Sequence, residues 1–362
     1  MSRDDWPSWP PDDPAILKSV SDVMSSGQWG KYHSAIADQL TQRIAGIHQM
    51  PHVRLTCSGT MAIELALRAA DVGRSGAANR VILAAYDYPG NFRTVECLGG
   101  RPVLVDVEGN RPVMSVEELL KVGQSIDPES IAAVIVSHLY GHIADMTRIA
   151  DFCLQHGWLL IEDACQTPAG MTPDGRLVGT LGDFSTLSFG GSKPITGGSG
   201  GALLTRSDRL AARIDQLVDR PGDATAMSPL ACAAVLPQWS TIDRDHQRRQ
   251  AAATQLQRFD WASINCRVMD DYLSGGTLSI YKFPFFASSA DHRQQLIARL
   301  DALGLPIGLG FRSLHRISSR RADRIGSLLS SKQFGECCVL IDHRVLLADD
   351  AVARVQRLVQ QV

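Results

Sequence analysis

Short apolar runs recur along the middle of this chain, separated by stretches with helical spacing. Residues 81–85, 102–107, 132–137, 158–162 and 184–189 are rich in aliphatic and aromatic side chains, and each is read as a strand. Their alternation with helical patterns predicts an α/β fold with a mostly parallel sheet covered by helices. Ligands of such sheets bind beyond the carboxyl ends of the strands. Asp163 closes one predicted strand and Ser188 lies near the end of another, so topology alone brings both toward one crevice. Residues 57–67 read as a loop turning into a helix, with Ser58, Gly59 and Thr60 at the cap and apolar periodicity after them. Residues 296–303 form a helical pattern ended by Gly304, and residues 351–359 form an amphipathic helix after Asp349 and Asp350.

At 362 residues the chain exceeds what one hydrophobic core usually serves. The expected division is an N-terminal arm (1–24), a large domain (25–235) and a small C-terminal domain (236–362). No repeat or low-complexity linker interrupts it. With 44% hydrophobic residues, 20% charged residues and a formal charge of −2, the composition offers neither a nucleic-acid surface nor a disordered tail. Small molecules and a second copy of the chain are the expected partners. The eight cysteines show no CxxC and no metal-ligand spacing, so they read as reduced core thiols. The N-terminus shows no basic and apolar leader and no run is long enough to span a bilayer, so a cytoplasmic enzyme is expected.

The chemistry concentrates in Ile161-Glu162-Asp163-Ala164-Cys165-Gln166, followed by Leu187-Ser188-Phe189-Gly190-Gly191-Ser192-Lys193 and the glycine-rich residues 196–201. An acid ending a strand, a hydroxyl and a lone lysine in a flexible loop are what pyridoxal phosphate requires. A carboxylate opposite the pyridine nitrogen keeps that nitrogen protonated, so the ring accepts electrons from a substrate carbanion, and Asp163 is the candidate. A Schiff-base lysine must be uncrowded and partly deprotonated, which Lys193 fits. Two rival readings of Lys193 fail. A phosphate-cradling Walker loop needs Gly before the lysine and Ser or Thr after it, whereas Ser192 and Pro194 flank this one. A plain surface lysine would not need these neighbours. The free amides at the Ser58–Thr60 helix start suit a phosphate, although an ordinary N-cap explains Ser58 or Thr60 equally well. Tyr88, delivered by the strand at 81–85, is placed to stack on a flat ring.

In order, Ser58-Gly59-Thr60, the Val81-Ile82-Leu83 to Tyr88 block, Ser137-His138-Leu139-Tyr140-Gly141-His142, Glu162-Asp163-Ala164-Cys165-Gln166, Gly182-Asp183-Phe184-Ser185 and the Lys193 loop resemble the DegT/DnrJ/StrS aminotransferases over residues 25–206. The resemblance implies a fold-type-I enzyme dependent on pyridoxal 5'-phosphate, usually a homodimer with sites at the subunit interface. It implies Lys193 as the Schiff-base lysine, Asp163 as the pyridinium partner, Gln166 near the ring's phenolic oxygen, Ser188, Gly59 and Thr60 on the phosphate, and Tyr88 stacked on the ring.

The C-terminal part is similar to the 3-amino-5-hydroxybenzoate synthase branch of that family, in Trp6-Pro7-Ser8-Trp9, in residues 304–316 and in Asp342-His343-Arg344. Arg312, His343 and Arg344 become candidates for an acidic or hydroxylated ring, with a surface or interface salt-bridge set as the alternative. One segment departs from the family. Residues 219–230 are shorter than usual and lack the Asn-x-Arg element that reaches a neighbouring subunit's phosphate, a contact Arg220 could replace. The expected activity is transfer of an amino group, from glutamate or glutamine by family analogy, to a keto group on a sugar nucleotide, cyclitol or related ring in secondary or cell-surface metabolism. A dehydratase of the aminohydroxybenzoate type and a non-catalytic cofactor binder stay open beside it.

Overall fold

The computed structural model describes residues 6–172, 174–218, 224–269 and 279–362. Its large sheet contains β1 (His52–Thr56), β2 (Arg80–Ala84), β3 (Arg101–Val105), β4 (Ile131–Ser137), β5 (Leu159–Asp163), β6 (Phe184–Ser188), β7 (Gly201–Thr205) and, from much later in the chain, β11 (Asp323–Arg324). The order across the sheet is β1-β7-β6-β5-β4-β2-β3-β11. From β6 through β11 the neighbours run parallel, and β7 alone is antiparallel to both its neighbours, β1 and β6.

The apolar runs of the sequence are continuous because both faces of this sheet are covered. Ile82, Val103, Val105, Val134 and Val136 pack into one core, while Val81, Leu83, Leu104, Ala133 and Ile135 pack into another on the opposite face. Successive side chains on a strand alternate faces, so adjacent acids at the end of β5 part company. Glu162 turns to a fully buried His138, 3.0 Å away, and takes the amides of Gly179, Leu181 and Gly182. Asp163 is free to face the other way, and the expected strand boundaries shift by at most two residues at either end.

A second sheet, β10 (Ile307–Leu309), β12 (Cys338–Ile341), β9 (Phe283–Ala287) and β8 (Cys266–Val268), is antiparallel throughout. The predicted late helices occupy Ala290–Ala302, followed by Gly304 at φ +84°, and Ala351–Val359. The N-terminal segment packs on this second unit: Trp6 is buried, donates its indole N–H to the Gly304 carbonyl at 2.8 Å, and lies under the Arg354 guanidinium. All eight cysteines are free thiols; Cys97 is exposed and Cys57 and Cys337 are half-buried, so the core reading holds for the other five. Among the described residues, no helix is long and apolar enough to cross a membrane.

Candidate active site

Where β4, β5 and β6 end, a cavity of ≈ 440 Å³ opens between the two sheets. Asp163, the last residue of β5, lies at its floor, 6% exposed. Its Oδ1 accepts the Cys165 amide at 3.0 Å and its Oδ2 accepts the Asn91 side-chain amide at 3.0 Å and the Ser137 hydroxyl at 3.3 Å. Asn91 Nδ2 also approaches the Asp87 carboxylate at 3.2 Å, so one amide links two buried acids. Burial first, and then the charge of Asp163, push the Asp87 carboxyl up to about 7.

Ser58 caps the helix Gly59–Ala69, its hydroxyl accepting the Met61 amide at 3.0 Å. The first-turn amides of that helix therefore face the cavity beside Ser188, the last residue of β6. Glycine is required at position 59, because a Cβ there would stand 2.8 Å from Ser188 Cβ and 2.9 Å from Cys165 Sγ. The result is a cradle of small groups with a helix start behind it, dimensioned for an anion.

Lys193 sits on the loop after β6, half-buried, with its amide on the Gly190 carbonyl at 3.0 Å. Tyr281, just before β9, donates its hydroxyl to the Ser192 carbonyl at 2.8 Å, and the Lys193 ammonium stands 5.4 Å from the centre of its ring. On the outer side of the same loop, Trp9 donates its indole N–H to the Gly191 carbonyl at 3.1 Å. The lysine loop is thus held by one residue from the segment leading into β9 and one from the N-terminal segment.

Gly59, Thr60, Tyr88, Asp163, Gln166, Ser188 and Lys193, drawn from positions far apart in the chain, all line this one cavity. Gln166 has its carbonyl oxygen engaged by the Tyr140 amide at 3.0 Å. Tyr88 is 41% exposed and meets Phe311 with ring centres 5.8 Å apart. Arg312, His343 and Arg344 are not brought to the cavity. Arg312 is exposed, and the Arg344 amide turns back to Asp342. His343 is 1% exposed, held edge-on against Trp9 at 4.3 Å and tilted on Tyr281 at 5.6 Å, one layer behind the ring that lines the cavity. Burial, and then the Arg249 charge, keep its imidazole far below its ordinary pKa. Arg220 lies outside the described residues.

Asp87, Asn91, Tyr281, Lys282 and Phe311 escaped the reading of the sequence. Asn91 had a faint signal, three residues after Tyr88 at a helix start. The pair Tyr281-Lys282 stands directly before the apolar run of β9, but nothing in a linear pattern shows that this strand faces the end of β5.

The donor set fits pyridoxal 5'-phosphate: an anion cradle, a buried carboxylate and a loop lysine share one enclosed space. The family model of the DegT/DnrJ/EryC1/StrS aminotransferases matches residues 10–360. An L-glutamine:2-deoxy-scyllo-inosose aminotransferase of Micromonospora echinospora is 31% identical over 278 residues, 69% of this chain and 64% of that protein. A GDP-perosamine synthase of Caulobacter vibrioides is 31% identical over 273 residues, 71% of each chain. The chain spans 64% of the length of the first of these relatives, which is less than two thirds. Among solved structures, 3-amino-5-hydroxybenzoic acid synthase superposes with a TM-score of 0.83 at 23% identity, covering 98% of both chains. A Brucella abortus DegT DnrJ EryC1 StrS aminotransferase superposes at 0.84 with 19% identity over 96% of this chain and 95% of that one, and at such identities the likeness is one of fold.

Proposed function

The chain belongs to the DegT/DnrJ/EryC1/StrS aminotransferase family, and from that membership and its cavity we propose that it is a pyridoxal-phosphate-dependent aminotransferase moving an amino group from glutamate or glutamine to a keto group of a sugar nucleotide, cyclitol or related ring. The observation that carries the reading is the joint presence of Lys193, Asp163 and the Ser58–Thr60 helix start in one cavity. The named activities of the relatives, on a cyclitol and a nucleotide sugar, support the acceptor class.

When bound, the cofactor supplies an electron sink for the carbon that loses its proton. Asp163 would keep the cofactor's pyridine nitrogen protonated, and Asn91 and Ser137 hold its Oδ2 in place. The helix start and Ser188 would hold the phosphate. Lys193 Nζ would bind the cofactor and would carry the substrate proton as general base and acid. Tyr88 would flank the ring, and Gln166 would meet its phenolic oxygen. In this reading residues 25–235 carry the cofactor and residues 236–362 close over it.

A homodimer in the cytoplasm completes the proposal, supported by exposed Leu17, Met24, Trp29 and Tyr32 near the N-terminus. No specific observation favours the dehydratase or the non-catalytic binder. The test is turnover of the loaded protein with glutamine or glutamate and a panel of keto-cyclitols and keto-sugar nucleotides. An amine on an intact ring, with one 2-oxo acid per turnover, is the expected product. Water loss with a new aromatic absorbance would return the dehydratase, and no turnover with any pair would overturn the enzyme reading.

A further inference from the structure

Beneath the cavity floor lies a second acid that the chemistry above leaves unused. Asp87, just past the end of β2, is 1% exposed and shares one hydrogen-bonding group with Asp163: the Asn91 side-chain nitrogen stands 3.2 Å from Asp87 Oδ2 and 3.0 Å from Asp163 Oδ2. Ser137 makes a second link. Its hydroxyl donates to Asp163 Oδ2 at 3.3 Å, accepts from Asn91 at 3.1 Å, and lies within hydrogen-bonding reach of the Asp87 carboxyl. Among the described residues, every hydrogen bond that either acid accepts comes from a neutral donor.

The two carboxyls are not held alike. Asp163 accepts the Cys165 amide at 3.0 Å, Asn91, Ser137 and, at 3.5 Å, the Thr186 hydroxyl. Asp87 accepts the Tyr88 amide at 2.6 Å and its share of Asn91. Donors stabilise the charged form of a carboxyl, and two neighbouring carboxylates without a cation do not both ionise cheaply in a buried site. The pair therefore keeps its negative charge on Asp163 and a proton on Asp87. The rise of the Asp87 carboxyl to about 7, from burial first and the Asp163 charge second, agrees with that division.

We propose that Asp87 is a positioning residue that carries this proton toward Ser137, so that Ser137 and Asn91 both turn donors to Asp163 Oδ2 and one negative charge faces the pyridine nitrogen. When the Asp87 O–H donates to Ser137 Oγ, the serine's own proton is left for Asp163. An ionised Asp87 would compete for that proton and for the Asn91 amide. The proposal rests on the reading of Asp163 as the pyridinium partner; Asp87 itself touches neither cofactor nor substrate and acts only through Ser137 and Asn91.

The test uses the full chain loaded with pyridoxal phosphate isotopically labelled at its ring nitrogen, as wild type, Asp87→Ala and Asp87→Asn. The nuclear magnetic resonance shift of that nitrogen reports its proton. An infrared difference spectrum between wild type and Asp87→Asn, taken at about pH 6, reports whether Asp87 is protonated. Wild type should show the carbonyl band of a protonated carboxyl that Asp87→Asn lacks. Asp87→Ala should lower kcat roughly tenfold with donor KM within about threefold, and should move the ring-nitrogen signal toward its unprotonated position. Asp87→Asn, whose side-chain amide can donate to Ser137 as the protonated acid does, should recover most of both losses. Absence of the protonated-carboxyl band, a ring-nitrogen signal unmoved in Asp87→Ala, or an Asp87→Asn loss as large as that of Asp87→Ala would overturn the proposal. The infrared comparison needs no alanine variant, so it decides even where Asp87→Ala fails to fold. A wild-type protein without a borohydride-sensitive band would instead overturn the reading beneath it.

Discussion

Asp163 and Lys282 face one cavity from walls of different construction. The wall at the ends of β4, β5 and β6 is made of backbone and short side chains: a helix start, a glycine that tolerates no Cβ, and a carboxylate held by an amide N–H, an Asn and a Ser. The wall from the second sheet is made of long side chains, Tyr281, Lys282 and Phe311, held by packing and by single contacts such as the Tyr281 hydroxyl on Ser192. The first wall can only be rigid, since strand ends and a capped helix fix it. The second reaches its place through tertiary packing alone, and it is suited to reading a substrate.

The comparison yields graded predictions. Lys193→Ala should lower turnover at least roughly a thousandfold, because no other group replaces its proton transfer and covalent role. A smaller loss measured in steady-state rates would move the chemistry to another residue. Asp163→Asn should cost on the order of a hundredfold to a thousandfold in turnover, since a preorganised charge is lost from a buried site. An unchanged rate would remove the electron-sink role. Gly59→Ala should destabilise by about 1–3 kcal/mol through overpacking, read by denaturant unfolding, and should weaken cofactor binding as well. On the other wall, Tyr281→Phe removes one hydrogen bond and should cost about 1 kcal/mol or less in stability. Its kinetic effect should fall on proton transfer by Lys193, and cofactor content should not change.

The two buried acids of the rigid wall also predict a pH dependence. Asp87 titrates at about 7 in the fold against 3.8 in the unfolded chain, so the native state holds its proton longer. Its contribution favours the fold below about pH 4 and is lost as pH rises toward 7. His48 and His246 act in the opposite sense. Their folded values are about 4 and about 3 against 6.5, so they destabilise the fold as pH falls below 6.5. Comparing Asp87→Asn with wild type cancels the histidines. The variant should gain stability relative to wild type as pH rises from 4 to 8, by at most a few kcal/mol, and a flat difference would show that the Asp87 carboxyl is not raised in the fold.

Legibility in the sequence followed the same division. Strand ends and helix caps are local, so Asp163, Ser188 and the Ser58–Thr60 turn could be read from apolar runs and a capping pattern, and their convergence follows from parallel topology. Lys193 was legible through its glycine-rich surroundings. Lys282 and Phe311 were not, because their relation to the site depends on how the second sheet packs against the first. The candidates Arg312, His343 and Arg344 came from C-terminal similarity, which carries no information on facing. His343 was near in the chain to the right wall, yet its ring is packed behind Tyr281. β11 was equally hidden, since a two-residue strand that crosses back to pair with β3 leaves no periodicity.

The central claim is the covalent role of Lys193. Borohydride reduction of the purified protein with pyridoxal phosphate, followed by peptide mass spectrometry, tests it most directly. The account predicts a visible band that bleaches on reduction and a cofactor mass fixed on the peptide containing Lys193, both absent from Lys193→Ala. A cofactor mass on another lysine, or no reducible band with cofactor in excess, would contradict it.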